Sequence, residues 1–542
     1  MTNRTTIVRR TLEVIAACAV VAILGNMASS ALAVNPPVIT DFSPSGGFPG
    51  TVVTINGMHF AKTTAVTFNG SSATFNVVSQ TQVKATVPAG ATTGLIDVVT
   101  PYGTAESPSA FVVGAINHVV VIYQENQSFD SVLGKFCWKV SQGQIPHDPC
   151  DGAIRGKLPD DTMIDLMQAP DIVPEVSHSV SAQKIAINHG AMNGFANLKG
   201  CMASDTPAYR CYAQYDPSQI PNLAALAESF ALSDRTFESN RAASWPSHMQ
   251  LAASQLDGYY GDDPKPSKFH KPAPGGGCDS FKDAPWLPPD QTKPIMVPSC
   301  VPDQMGQGPY RPSPVQYIPT IMDRLDAAQM SWKLYNVNGP NDKTPGTGYE
   351  WATCPTFYEC LNTSQKDHWV PSSDVIADAQ AGNLPAYATV VPTAANSQHN
   401  NDSMAVGDNW IGSVVNAIEN GPDWASTVIF ITYDDCGCFY DHVKTPITPR
   451  KVGIRIPMVI VSPFARPGFT DSQMASTDSI LAFVEHTFGL APLSQNDATA
   501  YDFSNSFNVS QAPLKPVPMI QSRVPPSSVR WLREHPPKDD VT

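Results

Sequence analysis

Residues 118–130 read HVVVIYQENQSFD, and residues 427–435 read TVIFITYDD. Each opens on a continuous apolar run, as expected of a strand buried on both faces, and ends on oxygen-bearing side chains. Ile456 to Val461 (IPMVIV) is a third such run. Helical periodicity falls between and around them, over Ile220–Leu232, Pro246–Leu256, Tyr317–Gln329, Asn409–Glu419 and Ser479–Phe488. Strands alternating with helices predict an α/β domain with a mostly parallel sheet sandwiched by helices. In such open sheets ligands bind beyond the carboxyl ends of the strands. Two strand ends therefore bring Glu125-Asn126 and Asp434-Asp435 to one crevice. Either pair alone reads more readily as a turn or helix cap. Together they form a hard oxygen donor set that suits one divalent metal ion.

The 542 residues are 42% apolar and 15% charged. That is enough for a large core and too little charge for a coiled coil or a charge-driven disordered chain. The net charge of −14 argues against a nucleic-acid partner, whose phosphates require clustered positive charge. The 50 prolines predict much ordered loop. Residues 258–315 and 335–375, rich in Pro, Gly and Cys, read as insertions forming a rim around the crevice. Residues 511–542 form a Pro-rich tail.

Residues 1–33 read as a signal peptide. Arg4, Arg9 and Arg10 precede an apolar run from Val14 to Leu24, about 11 residues and short for a bilayer span. Ala31-Leu32-Ala33 supplies a small-x-small cleavage pattern before Val34. The alternative is an uncleaved anchor. Arg9-Arg10 hints at twin-arginine export, although Val8 and Glu13 fit that pattern poorly. The expected location is periplasmic or extracellular. Of the 11 cysteines, Cys18 falls in this leader and the other ten are an even set, consistent with an oxidising compartment. Close spacing pairs Cys137 with Cys150, Cys201 with Cys211, Cys278 with Cys300 and Cys354 with Cys360. Cys436 and Cys438 are left to pair with each other or elsewhere.

Residues 34–114 have a different texture. Thr51–Ile55 alternates, Ala65–Phe68 precedes an Asn69-Gly70 turn signal, and Val83–Val87 and Leu95–Val99 follow. Short strands without helical periodicity predict a small β-sandwich.

A nucleophile candidate stands in Ser244-Trp245-Pro246-Ser247-His248. Pro246 suits the first turn of a helix. Ser244 would then sit by a helix N-terminus, where unpaired N–H groups favour an anion such as phosphate. The competing reading is that Ser244 is only a cap. Among the 12 histidines, His178, His399 and His442 lie in polar loops or near an acidic pair. Each could contact a phosphate oxygen or protonate a leaving group near neutral pH. His248 is intermediate, one helical turn beyond Ser244. Trp245, Trp351, Trp369 and Trp410 are candidate lipid contacts, with core packing the competing reading.

The N-terminal segment resembles an immunoglobulin-like IPT/TIG domain, through PPVITDFSPSGGFPGTVVTINGMHF, VTFNG, KATVPAG and GLIDVVTPYG. Residues 118–490, within a catalytic domain expected at 115–510, resemble the bacterial phosphoesterase family of phosphocholine-preferring phospholipases C and acid phosphatases, within the alkaline phosphatase-like superfamily. The carrying stretches are VVVIYQENQSFDSVLG, FALSDRTFESNRAASWPSHMQLAAS, NWIGSVVNAIENGPDWASTVIFITYDDCGCFYDHV, GIRIPMVIVSPFARPG and TDSILAFVEHTFGL. The resemblance implies that Glu125, Asn126, Asp434 and Asp435 bind the metal, that Ser244 is the nucleophile, and that His178, His399 and His442 stand near the phosphate. The sequence departs from the family pattern twice: Cys436-Gly437-Cys438 replaces a Gly-Gly, and Ser397-Gln398-His399-Asn400 replaces an Asp-x-His-Pro. The expectation is an exported phosphoesterase working through a metal-assisted phosphoserine. Its partner would be a phosphoester, with a phospholipid headgroup and transient membrane-surface contact implied, and an unknown ligand for the IPT/TIG module. The alternative is a catalytically degenerate surface-binding or adhesion protein that uses that module.

Overall fold

A computed structural model of the chain describes residues 35–536 except 115, 345 and 448–451. The leader expected at 1–33 lies outside the described residues.

The N-terminal unit is a sandwich of two four-stranded sheets. One contains Val38–Ser43, Val52–Met58, Gln82–Thr86 and Thr74–Ser79; the other contains Ser71–Ser72, Ala65–Phe68, Ile96–Thr100 and Gly103–Glu106. Alternating burial along Val52–Met58 sends Val53 and Ile55 inward, where they join Val66, Phe68, Val83 and Ile96 in a core of their own. Asn69 and Gly70 both have positive φ, the geometry a two-residue hairpin between Phe68 and Ser71 requires. Phe48 departs from this core. Its ring lies 5.1–6.2 Å from those of Phe464, Phe483 and Phe507, so the sandwich is anchored in the core of the following domain.

That domain is built on one eight-stranded sheet. In chain order its elements are β1 (His118–Gln124), α1 (Val180–Ile187), α2 (Pro221–Ser229), β2 (Ala231–Ser233), α3 (Ser244–Ala253), β3 (Trp332–Asn336), β4 (Trp369–Val370), β5 (Tyr387–Val391), α4 (Met404–Glu419), β6 (Thr427–Tyr433), β7 (Met458–Val461), β8 (Phe469–Asp471) and α5 (Thr477–Phe488). The strand order is β4-β3-β5-β1-β6-β7-β2-β8. The sheet is mostly parallel, with β7 antiparallel to both β6 and β2. The apolar run at 456–461 announces a buried strand but carries no information on direction.

Helices α2 and α4 are tied through Asp408, which accepts from the backbone N–H groups of Asn222 and Leu223. Helices α3 and α5 are tied through Asp478, which accepts from Gln250 and Ser254. One continuous apolar core unites these helices with the sheet. The Pro-rich tail runs along α2 and α4: Val517, Ile520 and Ser522 donate their N–H groups to Glu419, Asn222 and Asn409. The four expected disulfides are formed. Cys436 and Cys438 are buried thiols, with sulfurs 3.6 Å apart.

Candidate active site

The site follows from strand register. β1 and β6 pair in parallel, from His118 opposite Thr427 to Gln124 opposite Tyr433. Continuing one step places Glu125 beside Asp434 and Asn126 beside Asp435. Backbone bonds lock this edge: Asp434 N–H donates to Gln124 O, Gln127 N–H to Asp435 O, and Asn126 N–H to Asp434 Oδ1 at 2.8 Å. Asn126 adopts φ 60°, a left-handed conformation that Asn tolerates better than most residues. It turns the chain there.

The Asn126 side chain is the hub. On one side it is 3.2 Å from His178 Nε2 and 2.7 Å from His399 Nε2. On the other it is 3.3 Å from Ser244 Oγ, 3.3 Å from Asp434 Oδ1 and 3.2 Å from Asp435 Oδ1. Which end of the amide faces which side depends on the imidazoles. Nδ1 of His178 lies 2.9 Å from Val176 O, and Nδ1 of His399 lies 2.8 Å from Asn400 O. Carbonyls only accept, so both Nδ1 atoms carry a proton. In the neutral rings Nε2 is then an acceptor and calls for the amide NH2. That turns Asn126 Oδ1 toward the serine and the two carboxylates. An amide oxygen among carboxylate oxygens is repulsive unless a cation stands between them. Protonated imidazoles would instead call for the reverse orientation, which satisfies every contact with protons alone. The buried Asp434 Oδ2 has no hydrogen-bond partner among the described residues, a second sign of a site suited to a cation. These residues fit a divalent ion by donor type.

Electrostatics agree. Burial and neighbouring Asp434 push Asp435 well above the ordinary carboxylate range. Burial pushes Glu238 up to about 8. Such carboxylates are crowded without a positive charge to share. His248 on α3 meets Glu125 Oε1 at 2.9 Å. Burial pushes His248 down to about 4 and outweighs the opposing charge of Asp434. Nε2–H of a neutral His248 therefore donates to Glu125. Ligand atoms of Glu125, His248 and Asp434 lie within 4.8 Å of one another, so His248 borders the donor set and holds Glu125 through its Nε2–H. Its spacing of one helical turn from Ser244 was the available signal. Glu238 accepts from Cys436 N–H at 2.9 Å and had no local signal in the sequence.

Ser244 opens α3 and is buried. Its neighbour Trp245 donates its N–H to Asp263 Oδ1 at 3.0 Å. Trp351 stacks on the His399 ring at 5.4 Å. Both insertions, 258–315 and 335–375, thus reach the site. Trp245, Trp351 and Trp369 are each 2% exposed, which makes them packing residues and not lipid contacts; Trp410 is half-buried.

The structure gathers Glu125, Asn126, Asp434, Asp435, Ser244, His178 and His399. His442 stands in a different cluster. Its Nδ1 meets Asp130 Oδ2 at 2.6 Å and its Nε2 meets Asp151 Oδ1 at 2.9 Å. The buried Arg455 guanidinium closes this cluster at 3.0 Å from Asp130 and 3.1 Å from Asp441. With both ring nitrogens engaged by carboxylates, His442 has none free for a phosphate oxygen. Asp130, Asp441 and His442 have metal-like spacing, but Arg455 already supplies the neutralising charge.

This fold and site define a phosphoric-ester hydrolase domain behind an immunoglobulin-like module. The Phosphoesterase family model matches residues 116–491, and the IPT/TIG domain model matches residues 37–113. The chain belongs to the Phosphoesterase family. It is 24% identical over 469 residues to non-specific phospholipase C6 of Arabidopsis thaliana, covering 79% of this chain and 78% of the relative. It is 22% identical over 486 residues to phospholipase C A of Mycobacterium tuberculosis, covering 78% and 84%. Non-specific phospholipase C1 of Arabidopsis thaliana is 24% identical over 454 residues, covering 75% and 73%. The chain is accordingly a hydrolase of phosphoric esters. No helix among the described residues is long and apolar enough to cross a membrane.

Proposed function

We propose that the protein is an exported phospholipase C-type phosphoesterase that works through a phosphoserine at Ser244. The observation that carries this reading is the convergence on Asn126: Ser244 Oγ lies 3.3 Å from one end of its side-chain amide, and Asp434 and Asp435 lie 3.2–3.3 Å from the same end. Glu125, Asn126, Asp434 and Asp435 hold the cation in this scheme, with His248 orienting Glu125 through its Nε2–H. When bound, a divalent cation supplies positive charge to the phosphate and lowers the pKa of a nearby hydroxyl.

Asn126 holds Ser244 Oγ, which attacks phosphorus in line. In this scheme His178 Nε2 and His399 Nε2 exchange their contacts with the Asn126 amide for the substrate, and then take up and return protons, including the one delivered to the departing alcohol. Their Nδ1–H bonds to carbonyls, and the Trp351 ring over His399, fix their orientation. Water then hydrolyses the phosphoserine. Positioning and charge stabilisation do most of the work, as is general for phosphoryl transfer.

Phospholipid as substrate is supported by the named relatives, and export by the four disulfides. Comparing phosphatidylcholine with p-nitrophenyl phosphate on one purified sample tests the substrate class. Diacylglycerol release is expected. Hydrolysis of the monoester alone would reject the phospholipase reading, and hydrolysis of neither would favour a binding protein.

A further inference from the structure

Three cations stand beside the nucleophile helix; Lys184 Nζ also meets the Tyr260 hydroxyl and ring, and Glu238 lies within electrostatic reach of Arg241. Lys184 lies on α1, Arg241 lies three residues before Ser244, and Lys444 lies on the chain that leaves β6. They line a cleft of about 530 Å³. No acidic residue is among its described lining residues, although the chain carries a net charge of −14. Lys444 is seated across Gly190, where a Cβ would come within 2.6 Å of its Cε atom. Arg241 Nε is buried and has no hydrogen-bond partner among the described residues.

The remaining walls are apolar. Ile187 lines the interior, while Ile185 and Ile447 are 45% and 92% exposed. Basic side chains edged by protruding aliphatic ones form the chemistry that binds a lipid interface: cations meet headgroup phosphates and aliphatic groups enter the acyl boundary. A soluble phosphate would use the cations but leave Ile447 in water.

We propose that this cleft docks the enzyme on membranes bearing anionic phospholipid headgroups. Lys184, Arg241 and Lys444 take the phosphate oxygens, and Ile185 and Ile447 insert beside them. Its place next to Ser244 rests on the function proposed above, but docking itself needs no turnover, so the two readings fail separately.

The test is flotation of the full chain, in the cold, with vesicles of phosphatidylcholine alone or mixed with phosphatidylglycerol. The wild type should prefer the mixed vesicles, and salt should weaken that preference. Lys184→Gln combined with Lys444→Gln should weaken the binding by about fivefold per cation. The double Lys→Arg variant should retain it, and Ile447→Asp should lose it. Turnover of soluble p-nitrophenyl phosphorylcholine should be the same in the Lys→Gln variant and the wild type. Equal wild-type binding to both vesicle types would overturn the proposal, as would undiminished binding of the Lys→Gln variant. Release from mixed vesicles by inorganic phosphate, but not by chloride of equal ionic strength, would reassign the cleft to free phosphate.

Discussion

Replacing His442 with glutamine separates ion pairing from proton transfer. Burial opposes charge on this ring, but the hydrogen bonds to Asp130 and Asp151 prevail, and the imidazole is pushed up to about 10. A rise from about 6.5 to about 10, at about 1.4 kcal/mol per unit, sets an upper bound of about 5 kcal/mol. The side chain is 29% exposed, and Asp130 and Asp151 express the same contacts as lowered values of their own. The expected loss is therefore about 2–3 kcal/mol. Its sign with pH is fixed, because a raised histidine stabilises fully below its unfolded value and loses that contribution as pH rises through its folded one. Urea unfolding of wild type and His442→Gln should differ most below about pH 6 and converge only above about pH 10. Turnover per folded molecule should change less than about threefold, because no phosphate contact is removed. A gap that does not vary with pH, or a collapse of turnover at unchanged stability, would refute this assignment.

Two further perturbations address the cation site and the domain junction. Asp434→Asn removes a carboxylate that faces Asn126, and metal analysis after dialysis should find the bound divalent ion lost while the fold survives; full retention would exclude Asp434 as a ligand. Phe48→Ala empties a buried aromatic site shared with Phe464, Phe483 and Phe507, at an expected cost of about 3–4 kcal/mol. Proteolysis at the junction should accelerate, and an unchanged digestion pattern would mean that other contacts hold the sandwich.

Much of the architecture was legible because burial on both faces leaves a plain trace. VVVIYQ and TVIFITY announce central strands, and their polar ends announce the crevice. Residues 34–114 announce a sandwich by alternation alone. Strand direction was not legible, and β7 illustrates why: an apolar run looks the same in either orientation. The oxygen donors were legible as two local pairs whose proximity follows from register. His248 was marked only by its spacing from Ser244, and Glu238 by nothing local, because each acts through a partner distant in sequence, Glu125 for the first and the Cys436 N–H for the second. His442 shows the opposite failure. Its neighbourhood, Tyr440-Asp441-His442, has the composition of a catalytic loop. Its partners Asp130 and Asp151, and the Arg455 beside them, come from segments that only the fold brings together.

The phosphoserine claim is tested most directly by rapid quenching during phosphodiester turnover, followed by mass analysis of the peptide containing Ser244. One phosphoryl group should appear on that serine in the wild type, and Ser244→Ala should carry none while retaining its metal. Steady turnover with Ser244 unmodified at every quench time, or a phosphoryl group on another residue, would contradict the account.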